Sequence, residues 1–363
     1  MRLTVVTRAV GLRLARDIAA SDPHQMPILR SGATLSERYV QALLDHGIHA
    51  VWVDDALSAG ITPQELVPPA VRQQTARAVT KAVAHAKDAL ERRSPLDEQA
   101  TNQLKAIVEQ LAASIAHRAD VTLFLNDLAG ADAYTHQHSI DVCALGLLIG
   151  RTLFDRDGWH DYRGSRRWDD IPSRLIKLGM GLLLHDIGKM AVPQAILNKP
   201  GRLTPEEQAV MREHPEAGAG LLDAEHISPL VRAVVREHHE RWDGNGYPQG
   251  LSGDRINELA RIAAVADVYD AVTSERPYKP AAAPYVGVGI VVDGAGTAFD
   301  PAIVEIFEAI VPPFPVGSEI RMPDGSIGVV ARLEEKRPVV RVPEGDGWRE
   351  VRVDDDGDLA TAA

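Results

Sequence analysis

Thirteen histidines occur in the chain, and most of them, such as His24, His46, His49, His85, His117, His160 and His226, read as surface or hydrogen-bonded side chains. The middle third is different. His138, the pair His185-Asp186, His214, the pair His238-His239 and Asp267 fall within 130 residues, several of them beside apolar stretches that must be buried. Gly181-Leu182-Leu183-Leu184-His185-Asp186 carries two ionisable groups into the end of an apolar run, where burial without partners is costly. Imidazole and carboxylate together make the ligand set of divalent iron, manganese or zinc, and an aspartate can bridge two ions with its two oxygens. Seven such groups exceed one tetrahedral site, whereas a bridging Asp186 would let them complete two partly open ones. Paired ions of that kind activate a bridging hydroxide and clamp a phosphate, so the chemistry indicated is phosphoester hydrolysis. The one cysteine, Cys143, lies in the apolar stretch Ile140 to Ile149 and reads as core packing, and no Ser-His-Asp order offers another nucleophile.

The elements around these residues are mostly helical. Ala70 to Arg92 and Leu96 to Leu128, with Leu104, Val108, Leu111 and Ile115 at helical spacing, predict a hairpin broken near Ser94-Pro95. Helical patterns continue to about Ile310, separated by loops at Asp155 to Asp170, Asn198 to Gly201, Trp242 to Gly253 and Arg276 to Pro284. Tyr285 to Thr297, valines among glycines, is poorly suited to a helix. Before residue 69 the chain predicts a small α/β or β unit, with strands at Leu3 to Val6 and His49 to Val53 and a helix over Thr34 to Asp45 capped by Thr34. After Pro312-Pro313 strand patterns return at Ile320 to Met322, Ile327 to Leu333, Pro338 to Val342 and Val351 to Val353, followed by an acidic run, Asp354 to Asp358. The expected fold class is therefore mainly α, a helical bundle with a small N-terminal α/β or β module and a small C-terminal β module. The expected units are 1–68 for regulation or docking, 69–314 for the helical catalytic body and 315–363 for the β appendage.

Composition sets the outer bounds. Of the residues 45% are hydrophobic and 25% charged, an ordinary globular mix that excludes wholesale disorder. A formal charge of -12 argues against a general DNA or RNA coat and against an anionic-membrane binder, although a local basic pocket could still take a small anion. One cysteine excludes an intrachain disulfide framework, and neither an export signal nor a long apolar span is visible, so the expected compartment is the cytoplasm.

Several motifs together carry a resemblance. Tyr134-Thr135-His136-Gln137-His138-Ser139, His185-Asp186-Ile187-Gly188-Lys189, Lys199 to Thr204, His214-Pro215, His238 to Pro248 with its HHExxDGxGYP pattern, and Ala264 to Pro280 are similar to the HD-GYP family over about residues 120 to 310. The resemblance implies an HD-type bundle and a phosphodiesterase that opens cyclic di-GMP to pGpG or onward to GMP. It implies that His138, His185, Asp186 and Asp267 hold one metal ion and that the shared Asp186 with His214, His238 and His239 holds a second. Iron and manganese are both compatible with these ligands. It also implies substrate contacts from Lys189, Tyr247, Asp270, Arg276 and Lys279, with Tyr247 suited to stacking on guanine and Arg276 and Lys279 to phosphate. Lys189, one turn beyond Asp186, belongs with Asp186 to the catalytic set. Some family members hold a third metal with a Glu four residues before the first metal histidine; this chain has Tyr134 there, so two metals are expected. The segment Asp155 to Asp170, with its Arg and Trp residues, reads as an inserted loop. An HD-type hydrolase of another nucleotide, or a weakly active adaptor that binds signalling proteins through the GYP loop or the N-terminal module, is the alternative, and a homodimer is left open.

Overall fold

A computed structural model describes residues 1–18, 26–63, 65–92, 94–115, 134–161, 164–274, 281–353 and 360–361. Arg276, Lys279, His24, His117, the 116–128 part of the second hairpin helix and the acidic run at 354–358 lie outside the described residues. The chain opens with strand β1 (Arg2–Val5), then β2 (Arg13–Leu14), helix α1 (Glu37–Asp45) and β3 (Ala50–Asp54). They form an antiparallel sheet in the order β1-β3-β2, closed by Val40 and Leu43 on the buried face of α1. The helix starts later than Thr34: that residue is engaged in a bridge to Arg13, and Ser36 caps the helix by accepting from the Tyr39 N–H at 3.3 Å.

The body is helical. Helices α2 (Pro69–Arg92) and α3 (Glu98–Ile115) form the expected hairpin, with Leu104, Val108, Leu111 and Ile115 buried. Next come α4 (Tyr134–Asp157), the short hairpin β4 (Trp159–His160) and β5 (Arg166–Arg167), and α5 (Ile171–Leu184). After these run α6 (Gln194–Leu197), α7 (Pro205–Met211), α8 (His214–Leu221), α9 (Pro229–Glu237), α10 (Glu258–Thr273), α11 (Pro284–Asp293) and α12 (Pro301–Ile310). Helices α4, α5 and α10 form the centre, where Val142 to Leu145, Leu182 to Leu184, Leu259, Ala260 and Ile262 to Ala266 are all buried. These apolar stretches can exist only as an interior, and that interior is what gives the site its rigid walls.

Two expectations change here. Residues 284–293 are helical despite their valines and glycines, because packing overrides propensity. A Cβ at Gly287 would fall 2.5 Å from the Thr273 methyl and 3.0 Å from the Tyr269 ring, so the glycine is what lets α11 lie against α10. The 155–170 segment is a hairpin rather than a loop, fastened by the Trp159 indole N–H to the Asp169 carbonyl at 2.7 Å. The Arg174 guanidinium lies 4.4 Å over the Trp159 ring and donates to Glu258 at 2.9 Å. These groups line a cavity of about 960 Å³ that contains none of the seven histidines and aspartates above.

At the C-terminus β6 (Glu319–Arg321), β7 (Ile327–Glu334), β8 (Arg337–Glu344), β9 (Gly347–Arg352) and β10 (Ala360–Thr361) form an antiparallel sheet in the order β10-β6-β7-β8-β9. It closes on Phe314, Ile320, Val330, Val340 and Val342. The two small units meet: the Leu3 N–H donates to the Gly317 carbonyl at 2.9 Å, and Arg2 and Arg8 both pair with the buried Glu319. No described helix is long and apolar enough to cross a membrane.

Candidate metal centre

Five helices deliver the histidines and aspartates to one place. His138 is in α4 and Asp267 in α10; His185 ends α5 and His238 ends α9, with Asp186 and His239 next in sequence; His214 opens α8. The last carbonyls of a helix lack intrahelical partners, and three of the histidines use this. His185 Nδ1 bonds the Leu182 carbonyl at 2.7 Å, His214 Nδ1 the Met211 carbonyl at 2.8 Å and His238 Nδ1 the Val235 carbonyl at 2.9 Å. Only a protonated nitrogen can donate to a carbonyl, so each ring carries its lone pair on Nε2, aimed inward. His138, in mid-helix, reaches the same state through Asp270, whose Oδ2 lies 2.5 Å from Nδ1.

The inward atoms converge. Asp186 Oδ2 lies 3.4 Å from His185 Nε2 and 3.8 Å from His138 Nε2, while its Oδ1 lies 3.4 Å from His214 Nε2. Asp267 Oδ1 is 3.2 Å from His138 Nε2 and 3.9 Å from His185 Nε2. His214 and His238 face each other at 3.4 Å between Nε2 atoms. Lone pairs directed at carboxylate oxygens and at one another repel, and His185 Nε2 is buried with no hydrogen-bond partner. Donors about 2.0 to 2.2 Å from one ion stand roughly 3 to 3.6 Å from each other, so these separations fit the corners of coordination spheres. Ligand atoms of His138, His185 and Asp186 lie within 4.8 Å of one another, as do those of His214, His238 and His239. The donor set therefore fits divalent cations.

Charge supports this. Burial pushes His214 down, pushes His239 down to about 4, and with the neighbouring His239 and His185 pushes His238 well down, so these rings are neutral ligands at pH 7. Burial works against both aspartates, yet Lys189 and His185 hold Asp186 far below the usual carboxylate range, and the bond to His138 does the same for Asp267. Burial also opposes protonation of His138, but its bonds to Asp267 and Asp270 outweigh that and raise it to about 10. A cation at Nε2 would replace that proton.

The mouth is built from the turn after Asp186 and from the loop after His239. Lys189 follows Asp186 in a 3-10 turn and its Nζ lies 2.5 Å from Asp186 Oδ2. Tyr247 stacks on His239 with ring centroids 4.7 Å apart and planes at 28°. Sequence reasoning passed over the residue that holds this loop. Glu240 is buried, and its two oxygens accept from the Gln249 and Leu251 N–H groups at 2.7 and 2.9 Å, so one carboxylate clamps the chain just after Tyr247-Pro248. The available signal was an acid directly after two histidines and before a glycine-rich turn. Cys143 is fully buried against α5 and takes no part.

Asp270 requires a correction. It was expected against substrate, but it has no exposed surface; one oxygen receives His138 and the other the Ser274 hydroxyl at 2.8 Å. It therefore orients His138 from behind. Asp270→Asn keeps the shape but allows the amide NH₂ to face Nδ1, which favours the tautomer with its proton on Nε2. Metal affinity is then expected to fall about 10- to 100-fold, read by titrating metal into the stripped protein; an unchanged affinity would remove this role.

Comparisons with known proteins agree with this geometry. Residues 165–303 match the model of the HD domain family. A cyclic di-GMP phosphodiesterase of Pseudomonas aeruginosa is 42% identical over 226 residues, 62% of this chain and 50% of that protein. A cyclic di-GMP phosphodiesterase of Vibrio cholerae is 47% identical over 134 residues, 35% of this chain and 27% of its own. A 3'3'-cGAMP-specific phosphodiesterase 2 of the same organism is 40% identical over 128 residues, 34% of this chain and 24% of its own. This chain thus spans half or less of the length of these relatives. Residues 165–303 are thus similar to the HD domain family, and beside them the Gly246-Tyr247-Pro248 loop stacks its tyrosine on His239.

Proposed function

We propose that the chain is a metal-dependent phosphodiesterase that hydrolyses cyclic di-GMP to pGpG, GMP or both. The observation that carries this is Asp186, whose two oxygens face two different histidine groups. In this reading His138, His185, Asp186 and Asp267 hold one ion, and Asp186, His214, His238 and His239 hold the other, iron or manganese in each case. Bound ions would ionise a water for attack and accept the charge of the phosphate. The residues around them do the rest. Lys189, half-buried and drawn to Asp186, is placed to exchange a carboxylate oxygen for a phosphate oxygen when substrate arrives. Tyr247 walls the entry side of His239. The catalytic body is the helical 69–314 unit, and the working compartment is the cytoplasm.

The test is anaerobic turnover by protein stripped with chelator and reloaded with ferrous iron or manganese, with cyclic di-GMP and 3'3'-cGAMP offered separately and products separated by chromatography. Stripped protein is expected to be inactive, and either metal to restore pGpG or GMP from cyclic di-GMP. Two ions bound per chain without any product from cyclic di-GMP would sink the reading, and preferential cleavage of 3'3'-cGAMP would reassign the substrate.

A further inference from the structure

Resting on that reading, we propose that Arg212 is a substrate-binding residue, holding the phosphate of the cyclic dinucleotide that is not being cleaved. Arg212 ends α7 and precedes His214 by two residues, and the His214 ring bonds the Met211 carbonyl just before it. The backbone that fixes a histidine of the centre therefore also fixes this arginine. Its guanidinium lies 5.2 Å over the centroid of the Tyr247 ring, and that ring stacks in turn on His239. An arginine, a tyrosine and a histidine of the centre thus form one continuous stack that leads outward.

Charge bookkeeping makes Arg212 unusual. Along the same stretch of chain Lys189 is engaged by Asp186, Lys199 by Glu207, Arg236 by Glu216 and Arg241 by Asp243. Arg212 is exposed, and among the described residues its charge meets the Tyr247 ring rather than a carboxylate. In a chain of formal charge -12, a cation left without a counter-ion beside an active centre has a spare anion-binding capacity. A cyclic dinucleotide carries two phosphates, and the ions can engage only one at a time. The second must lie near a centre that holds two buried aspartates, and a planar guanidinium offers it two parallel N–H donors. The tyrosine face holds the guanidinium in place beforehand, which lowers the entropy lost on capture.

The test uses the full, metal-loaded chain. Arg212→Ala is expected to raise KM for cyclic di-GMP about 10-fold or more with kcat within about threefold, and Arg212→Lys to fall between the two. The KM of the wild type should rise more steeply with salt than that of Arg212→Ala. Bis(p-nitrophenyl) phosphate, a diester with a single phosphate, reports the centre without the second contact. The loss in kcat/KM for Arg212→Ala should be at least fivefold smaller on this compound than on cyclic di-GMP. Equal losses on both compounds, or a fall in kcat with KM unchanged, would assign Arg212 to support of Tyr247 and overturn the proposal. An unchanged KM beside normal wild-type turnover overturns Arg212 alone, whereas no wild-type turnover of cyclic di-GMP overturns the substrate reading and this one with it.

Discussion

On the proposed reading, Asp186→Ala is expected to cut phosphodiester hydrolysis by at least about 1,000-fold and to lower bound metal from the proposed two ions per chain to one or none. The Asp186 carboxylate faces both histidine groups: Oδ2 lies 3.4 Å from His185 and Oδ1 3.4 Å from His214. Its removal would cost each proposed site an anionic oxygen at once, and would leave Lys189, now without its carboxylate, to repel any cation nearby. Asp186→Asn separates shape from charge. The amide fits the same space but offers one oxygen and one NH₂, so it can serve one histidine group while its donor points at the other. The asparagine variant should therefore keep the fold, retain at most one tightly held ion and still lose hydrolysis. Metal analysis of dialysed protein, run beside turnover, checks both variants. Two retained ions with more than a tenth of wild-type activity in Asp186→Asn would show that the carboxylate does not bridge.

A methyl group two residues further on is expected to act almost as strongly. A Cβ at Gly188 would land on the His214 carbonyl oxygen and 2.5 Å from the Gly218 nitrogen, both of them backbone. Here the turn after Asp186 touches α8 with no side chain between them, and this contact sets the distance from Asp186 to His214. Gly188→Ala must push α8 away, and a shift of about 1 Å in a reacting group can cost ~100-fold in rate. Overpacking of this kind also destabilises by roughly 1 to 3 kcal/mol. Gly220, in the same helix, has nothing within 4 Å of its would-be Cβ, so Gly220→Ala is the control and should be neutral or slightly stabilising. Activity, metal content and thermal midpoint measured on the two variants decide the matter; equal behaviour would mean that α8 yields without cost.

The centre was legible in the sequence for a physical reason. Histidines and aspartates next to apolar runs must find partners, and a shared set of cations satisfies them at once. Depth was not legible. Asp267 and Asp270 lie three apart on α10, yet Asp267 faces the histidines while Asp270 is buried behind His138, a difference that depends on how α4 crosses α10. Arg212 was invisible because a lone arginine at a helix end is ordinary until the chain brings Tyr247 beneath it. The helix at 284–293 was hidden by its valines and glycines, since the glycine that weakens it in isolation is the one that permits close contact. Thr34 and Ser36 were equivalent caps by type, and the bridge from Arg13 to Thr34 chose between them.

The meeting of the first and last sheets has a consequence for the order in which the molecule assembles. Arg2 and Glu319 are 317 positions apart, so during synthesis β1 leaves the ribosome long before its partner exists. The helices from α2 to α12 rely on contacts much nearer in sequence and can condense first. The join between the two ends then closes last, over a body already formed. Its opening should be the cheapest excursion from the native state, visible as early amide exchange at Leu3, whose N–H donates to the Gly317 carbonyl across the join, while α4, α5 and α10 stay protected.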